Sequence, residues 1–311
     1  MNARHCKRRS TAMDQDRIPD PFHPGEREAQ ARAGFRVPSA PIRDRLIPQH
    51  QQFFPLLPWL LVAARDEAGD PAAGVLTGAP GFVSAADPQT LWVRPDHGAW
   101  QPWPAGPAVG EPVAALGIDL ATRRRNRVNG RVAARDGLAF AMAVEESFGN
   151  CPQYIHVRRA EDEAPSPAGA VEALAGLDGE ARRLIGAADT AFVASASSAG
   201  RDGRLDVSHR GGPAGFIRID GDRLIVPDYS GNRYFNTLGN MLLNPRAGLL
   251  LVDVASGDVL HLTGAVGIDW EPDPALPNAQ RSWSLQVERG WRRKAAIPLR
   301  WKEPGERIGV P

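Results

Sequence analysis

The stretch DVSHRGGPAGF (206–216) decides how this chain is read. It starts as a strand and breaks on two glycines and a proline, the composition of a tight corner. Upstream by 134 residues, GVLTGAPGF (74–82) ends on the same glycine–phenylalanine corner. The flanks keep that spacing. WLLVAARDEAGDPAAGVLTGAPGFVSAADPQTLWV (59–93) and AFVASASSAGRDGRLDVSHRGGPAGFIRIDGDRLIV (191–226) each hold a β-rich run, a Gly/Asp turn, a second run, the corner and a third run. LGIDLATRRRNRVNGRV (116–132) then matches LLVDVASGDVLHLTGAV (250–266), placing Asp119 on Asp253 and Gly130 on Gly264. QYIHV (153–157) is matched with WSLQV (283–287) as a fourth block. An offset nearly constant across four blocks predicts a tandem duplication of a β-rich unit of about 130 residues, an ordinary domain size.

Each copy opens on a short helix, in RLIPQHQQFFPLLPW (45–59) and in LDGEARRLIGAADTAF (177–192). In the second, Asp178 is the expected N-cap, and Leu184 and Ile185 face the core. GLAFAMAVEESFG (137–149) reads as a helix with Leu138, Met142 and Val144 or Phe148 near one face. A leader over 1–20 lacks a periodic apolar face and is expected to be disordered. RRAEDEAPSPAG (158–169), charged and proline-bearing, is the expected linker. The first copy is then 21–157 and the second 170–311. About six short strands per copy, with glycine corners, suggest small barrels.

Bulk properties agree with a globular chain. It has 311 residues, 42% apolar and 23% charged, with room for two domains. A net charge of +1 gives no field that argues for nucleic acid or an anionic membrane. No apolar run approaches the roughly 20 residues of a membrane span, and the N-terminus lacks the apolar stretch of a secretory signal. Cys6 and Cys151 are the only cysteines, which fits a reducing cytoplasm. His156, His209 and His261 show no ligand spacing, so no metal is expected.

The copies differ where chemistry would sit. Ser208, His209 and Arg210 replace Gly74, Val75 and Leu76. Strand alternation puts Ser208 and Arg210 on one face and His209 on the other. Arginine suits phosphate through its charge-assisted fork, and Gly211 and Gly212 would let a ligand approach the backbone. In VPDYSGNRYFNTLGNMLLNP (226–245), the turn Asp228, Tyr229, Ser230, Gly231 leads into a helix expected from Asn232 to Leu243. A helix start is a ready anion site, and Arg233 in its first turn opposes the helix dipole unless an anion sits there. The first copy has RPDHGAWQPWPAGPAVGEP (94–112) instead, where Pro102, Pro104 and Pro107 exclude that helix. The candidate ligand residues are therefore Ser208, His209, Arg210, Gly211, Gly212, Asp228, Tyr229, Gly231, Asn232 and Arg233. His209 and Tyr229 are the candidates for polar contact or proton transfer, since an imidazole titrates near neutrality. A plain alternative stays open: a solvated arginine, a hairpin corner and a capping turn.

HPGEREAQ, GAPGF, GNCPQYI, DVSHRGGPAGF and PDYSGNRYFNTLGNMLLNP resemble the pyridoxamine 5′-phosphate oxidase-like superfamily of FMN-binding split barrels. The resemblance runs over about 21–303 and is similar to a tandem, single-chain branch. It implies a mainly β (α+β) architecture of two six-stranded Greek-key barrels packed as an intrachain pseudo-dimer, with FMN at their interface. It implies that Arg210 and the turn Gly231-Asn232-Arg233 hold the phosphate, though the turn keeps one basic residue where the family has two. ERGWRRKAAIPLRW (288–301) departs from the oxidase's substrate-binding pattern. Cys151 is either a buried filler or, in the family's packing, a neighbour of the flavin. The implied function is a cytoplasmic FMN-dependent oxidoreductase with a small-molecule substrate or electron donor, complete alone or paired again as a homodimer. Its rivals are a non-catalytic flavin or haem carrier and an interaction scaffold.

Overall fold

The computed structural model describes residues 20–99, 106–161, 167–200 and 203–303. Short apolar runs broken by Gly, Asp and Pro give a mainly β chain of curled antiparallel sheets. The first sheet contains β1 (Trp59–Arg65), β2 (Pro71–Thr77), β3 (Val83–Asp87), β4 (Thr90–Val93), β5 (His97–Ala99), β6 (Pro112–Asp119), β7 (Arg124–Asp136) and β8 (Ala139–Gly149). Its order is β3-β4-β8-β7-β6-β1-β2-β5. A two-stranded pair joins β9 (Arg159–Glu161) to β18 (Arg300–Lys302). The second sheet contains β10 (Val171–Leu174), β11 (Thr190–Ala196), β12 (Leu205–Gly211), β13 (Arg218–Asp220), β14 (Arg223–Asp228), β15 (Arg246–Val252), β16 (Val259–Asp269) and β17 (Arg281–Arg293). Its order is β13-β14-β17-β16-β15-β11-β12, with β10 beside β17. Seven strands thus recur in one order rather than the expected six. The run after each corner is folded into a hairpin, β3–β4 and β13–β14.

Among the described residues, four α-helices pack around the sheets: α1 (Pro24–Arg32), α2 (Pro48–Phe53), α3 (Gly179–Ala187) and α4 (Asn236–Leu243). Asp178 caps α3, accepting from the Ala181 N–H at 2.8 Å, and Leu184 and Ile185 are buried as expected. The structure departs from the sequence reading in three places. First, 137–149 is not a helix but carries strand β8. Phe140, Met142 and Val144 recur every second residue and are buried, a strand period that the alanines between them disguise. Second, QYIHV is not a strand, so WSLQV corresponds instead to β8. Val144 and Val287 stand opposite Gly130 and Gly264, each at a β-bulge. Third, α4 begins at Asn236, not Asn232, because Arg233 and Phe235 both take left-handed backbone at φ 62°. The expected leader falls almost wholly outside the described residues. So do 162–166 of the expected linker, Pro102 and Pro104.

The core crosses between the sheets. Trp59 of β1 meets Phe192 of β11 edge-on at 5.8 Å and lies 4.6 Å from Trp301 of β18. A second cluster, with Ile185, Leu249 and Trp283, fills the space under α3. At one end of the seam between the sheets, the His261 imidazole accepts the Ala73 N–H at 3.1 Å. No described helix is long and apolar enough to cross a membrane.

Candidate functional site

At the other end of the seam, β12 faces β7. Asp206, Ser208 and Arg210 alternate along β12, and Arg125 and Arg127 along β7. Arg127 is buried and bridges the equally buried Asp206 at 2.7 Å. It also donates to the Ser208 hydroxyl at 2.7 Å and to Asn236 Oδ1 at 3.0 Å. Ser208 in turn donates to Asp206 at 2.8 Å. The Ser208 hydroxyl is therefore committed to this ion pair, where the sequence suggested a direct ligand contact.

Arg125 lies 3.1 Å from His209 Nδ1. Guanidinium nitrogens only donate, so Nδ1 accepts and the ring proton belongs on Nε2. Burial, followed by the charges of Arg125, Arg210 and His156, drives the His209 pKa well below the usual imidazole range. That environment favours the neutral ring, against the titration near neutrality that the residue type suggests. Its Nε2 has no hydrogen-bond partner among the described residues.

Charge is unevenly matched here. Arg281 bridges Asp228 at 2.9 Å, and Arg127 has Asp206. Among the described residues, Arg210 donates only to the His209 carbonyl, at 3.0 Å. Arg233 is exposed and lies over the Phe35 ring, 4.0 Å from its centroid. Among the described residues, Arg125, Arg210 and Arg233 have no carboxylate within bridging distance. Burial lowers the Arg210 pKa against the pull of Asp228 and Asp206. Burial, then Arg127 and Arg210, brings Arg125 down to about 9. Buried Nε atoms of Arg125, Arg127 and Arg210, and the Thr237 hydroxyl, are likewise without partners among the described residues.

These side chains line a cleft that is partly open to solvent, with a cavity volume of about 120 Å³. The first residues of α4, Asn236 to Leu238, form part of its wall. Tyr154 and Tyr229 stack there at 5.2 Å and 29°. Every residue nominated from the sequence lines the cleft except Gly212. The two glycines have another reason to be small. A Cβ on Gly211 would lie 2.1 Å from the Tyr154 carbonyl, and one on Gly212 would lie 2.7 Å from Phe216 Cβ. The chain itself, not a ligand, crowds their backbone. Cys151 is half-buried with its Sγ 3.6 Å from Gln153 Oε1. It is not part of the wall, whereas Asn150, Gln153 and Tyr154 are.

Sequence reasoning missed Arg125, Arg127, Tyr154, Gln280 and Arg281. The first two had a readable signal. RRNRV (124–128) repeats arginine at i and i+2, hence on one strand face, where the matching strand has Val259 and His261. No described group of three or more His, Cys, Asp or Glu could hold a metal.

No protein-family profile and no curated protein matches the chain. Among solved structures it is similar to a FAD-binding protein from Mesorhizobium loti, at 15% identity over 40% of this chain and 97% of that one, TM-score 0.28. It is similar to a Clostridium acetobutylicum protein of the pyridoxinephosphate oxidase family, at 14% identity over 41% and 94%, TM-score 0.28. It is also similar to the heme storage protein HutZ from Vibrio cholerae, at 12% identity over 38% and 95%, TM-score 0.27. Overlaps of this size assign nothing to the cleft.

Proposed function

We propose that the chain is an FMN-binding flavoprotein of the pyridoxamine 5′-phosphate oxidase-like superfamily. In this reading two tandem split-barrel copies, 21–157 and 170–311, hold one flavin at their seam. The observation that carries the flavin reading is the set Arg125, Arg210 and Arg233, unmatched by carboxylate, around a cleft that contains the start of α4. Arg233 is exposed, but leaving the desolvated charges of Arg125 and Arg210 uncompensated is costly. A phosphate dianion would compensate it, through arginine forks and the free N–H groups of a helix start. The orphaned Thr237 hydroxyl fits the same group.

The residues present fit the rest of FMN as well. Tyr154 and Tyr229 offer a flat aromatic wall to the ring, and the neutral His209 offers an Nε2–H donor. Bound flavin supplies hydride or electron transfer, while the protein binds and orients it. His209 is the only imidazole among the described lining residues and is held neutral, so the chain's own part is positioning rather than proton movement. That fits a flavin-dependent oxidoreductase using a small-molecule electron donor. It also favours, as the second reading, a carrier that holds flavin without turnover.

The test is the visible spectrum of the purified protein after incubation with FMN. A yellow protein is expected. Arg210→Ala should weaken binding about 10- to 100-fold, the worth of a charge-assisted hydrogen-bonded contact. Equal flavin content in both would remove Arg210 from the site, and a wild type that takes up none would remove the flavin. Anaerobic reduction by a nicotinamide donor separates the two readings: flavin that stays oxidised with every donor leaves the carrier.

A further inference from the structure

HPGE (23–26) lies outside every repeated block and does not line the cleft, yet it is packed on α4, whose first residues do. Helix α1 rests directly on α4 because glycine faces glycine. A Cβ on Gly25 would lie 2.2 Å from the Gly239 carbonyl, and one on Gly239 would lie 2.6 Å from Glu26 Cα. Around that contact, His23 Nε2 meets Asn240 Oδ1 at 2.9 Å, and Glu26 meets Asn236 one helical turn away. Glu26 is 3% exposed. One carboxylate oxygen accepts the His23 N–H at 2.8 Å, closing the capping box of α1. The other accepts from the Asn236 side-chain amide.

Asn236 can be oriented only one way. Arg127 can only donate, so Asn236 must turn its oxygen to Arg127 and its NH₂ to Glu26. Glu26 therefore selects the amide orientation that Arg127 requires, and Arg127 in turn holds Asp206 and Ser208 of β12. The relay has few alternatives, because a buried amide that loses its acceptor is left unsatisfied.

We propose that Glu26 is a positioning residue of the cleft, acting through Asn236 to fix the Arg127 guanidinium, so that the N-terminal helix is a working part of the site. The ligand in this inference rests on the FMN reading; the relay does not. The test compares FMN affinity, thermal stability and the NMR exchange rate of the Asn236 side-chain amide in wild type, Glu26→Ala, Glu26→Gln and His23→Ala. Glu26→Ala should weaken FMN about tenfold and speed that exchange at least about tenfold, as expected for one lost buried hydrogen bond. Glu26→Gln keeps one acceptor oxygen, which can serve Asn236 at the cost of the bond from the His23 N–H, so it should restore both readouts while losing cap stability. His23→Ala removes the other α1–α4 bond and the cap, so it should lower thermal stability and spare both readouts. If Glu26→Ala binds FMN as the wild type does, or His23→Ala weakens FMN equally, the relay is overturned. If the wild type binds no FMN, the flavin reading falls and the amide exchange still decides: unchanged exchange in Glu26→Ala overturns the relay, and fast exchange restored by Gln supports it.

Discussion

The two ends of the seam are built from matching strands and do opposite things. At the cleft, β12 brings Asp206, Ser208 and Arg210 against Arg125 and Arg127 of β7. At matching positions, β2 brings Ala72, Gly74 and Leu76 against Val259 and His261 of β16. There the imidazole takes the Ala73 N–H, stacks on Trp291 at 5.7 Å and 11°, and the seam closes. The glycines that shape the backbone agree in both halves. Gly81 and Gly215 share positive φ, 98° and 75°. A Cβ on Gly130 or Gly264 would meet a cross-strand carbonyl at 1.9 or 1.8 Å. Positions that make the fold are alike, and positions that line the seam have diverged. This asymmetry predicts one flavin per chain, not two, countable from the absorbance of a saturated sample.

The largest effect is expected at the open end. Arg127→Leu leaves Asp206 as an unpaired buried carboxylate, which costs about 3–5 kcal/mol and, under the proposed function, should also weaken FMN binding. His261→Leu leaves only the Ala73 N–H without a partner, a cost of about 1–3 kcal/mol, and should not touch flavin binding. Denaturant titration of both variants checks the ranking. Equal losses would mean that the two ends are held by similar forces, and the contrast would fail.

Much of this contrast was readable before any coordinates. The corners declared themselves through glycine, whose left-handed backbone few other residues share. The copy bearing Arg210 declared itself through the apolar residues that it replaced. The first half's contribution stayed hidden because Arg125 and Arg127 come from a distant strand, and sequence spacing says nothing about which strands meet at a seam. Strand β8 was misread because alanine favours helix, while cross-strand pairing, invisible locally, made it a strand. The start of α4 was misplaced because left-handed Arg233 and Phe235 follow no common residue preference.

Acid should expose the closed end next. Burial, helped by Arg289, brings His261 down to about 3, against about 6.5 in an unfolded chain. Between those values the unfolded chain binds a proton that the folded chain refuses. Stability from the neutral ring is therefore complete above pH 6.5 and is lost progressively as pH falls toward 3. His23 and His50, each held near 4, act in the same direction. Glu26 acts the other way. Burial raises it to about 8, so its contribution is complete below about 4.5 and is lost as pH rises from there to 8. In His261→Leu, proton uptake on unfolding between pH 3 and 6.5 should fall by about one proton. A stability–pH slope identical to wild type would show that His261 is not the buried neutral ring of the closed end.

The smallest effect belongs to a pair of bridges that are mirror images in charge. Past the bulge at Gly130, Glu146 pairs with Arg204 at 2.7 Å; past the bulge at Gly264, Arg289 pairs with Asp70 at 2.6 Å. Arg204 and Asp70 are themselves 134 residues apart, so each end has the same bridge with its signs exchanged. The consequences of losing one are unequal. Asp70 also has Arg246 at 2.7 Å, and Asp66, the second partner of Arg289 at 2.6 Å, still accepts the backbone N–H groups of Ala68 and Asp70. Arg289→Ala should therefore cost about 1 kcal/mol, and less in 1 M salt, where the screening length is about 3 Å. Glu146 is buried, with its pKa already raised by burial, and Arg204 is its only bridging cation among the described residues. Arg204→Ala should push Glu146 further toward its protonated form and show a pH-dependent loss that Arg289→Ala lacks. Stability curves of the two variants from pH 5 to 9 make the comparison. Parallel curves would show that burial of the carboxylate, rather than the bridge, sets the behaviour of both ends.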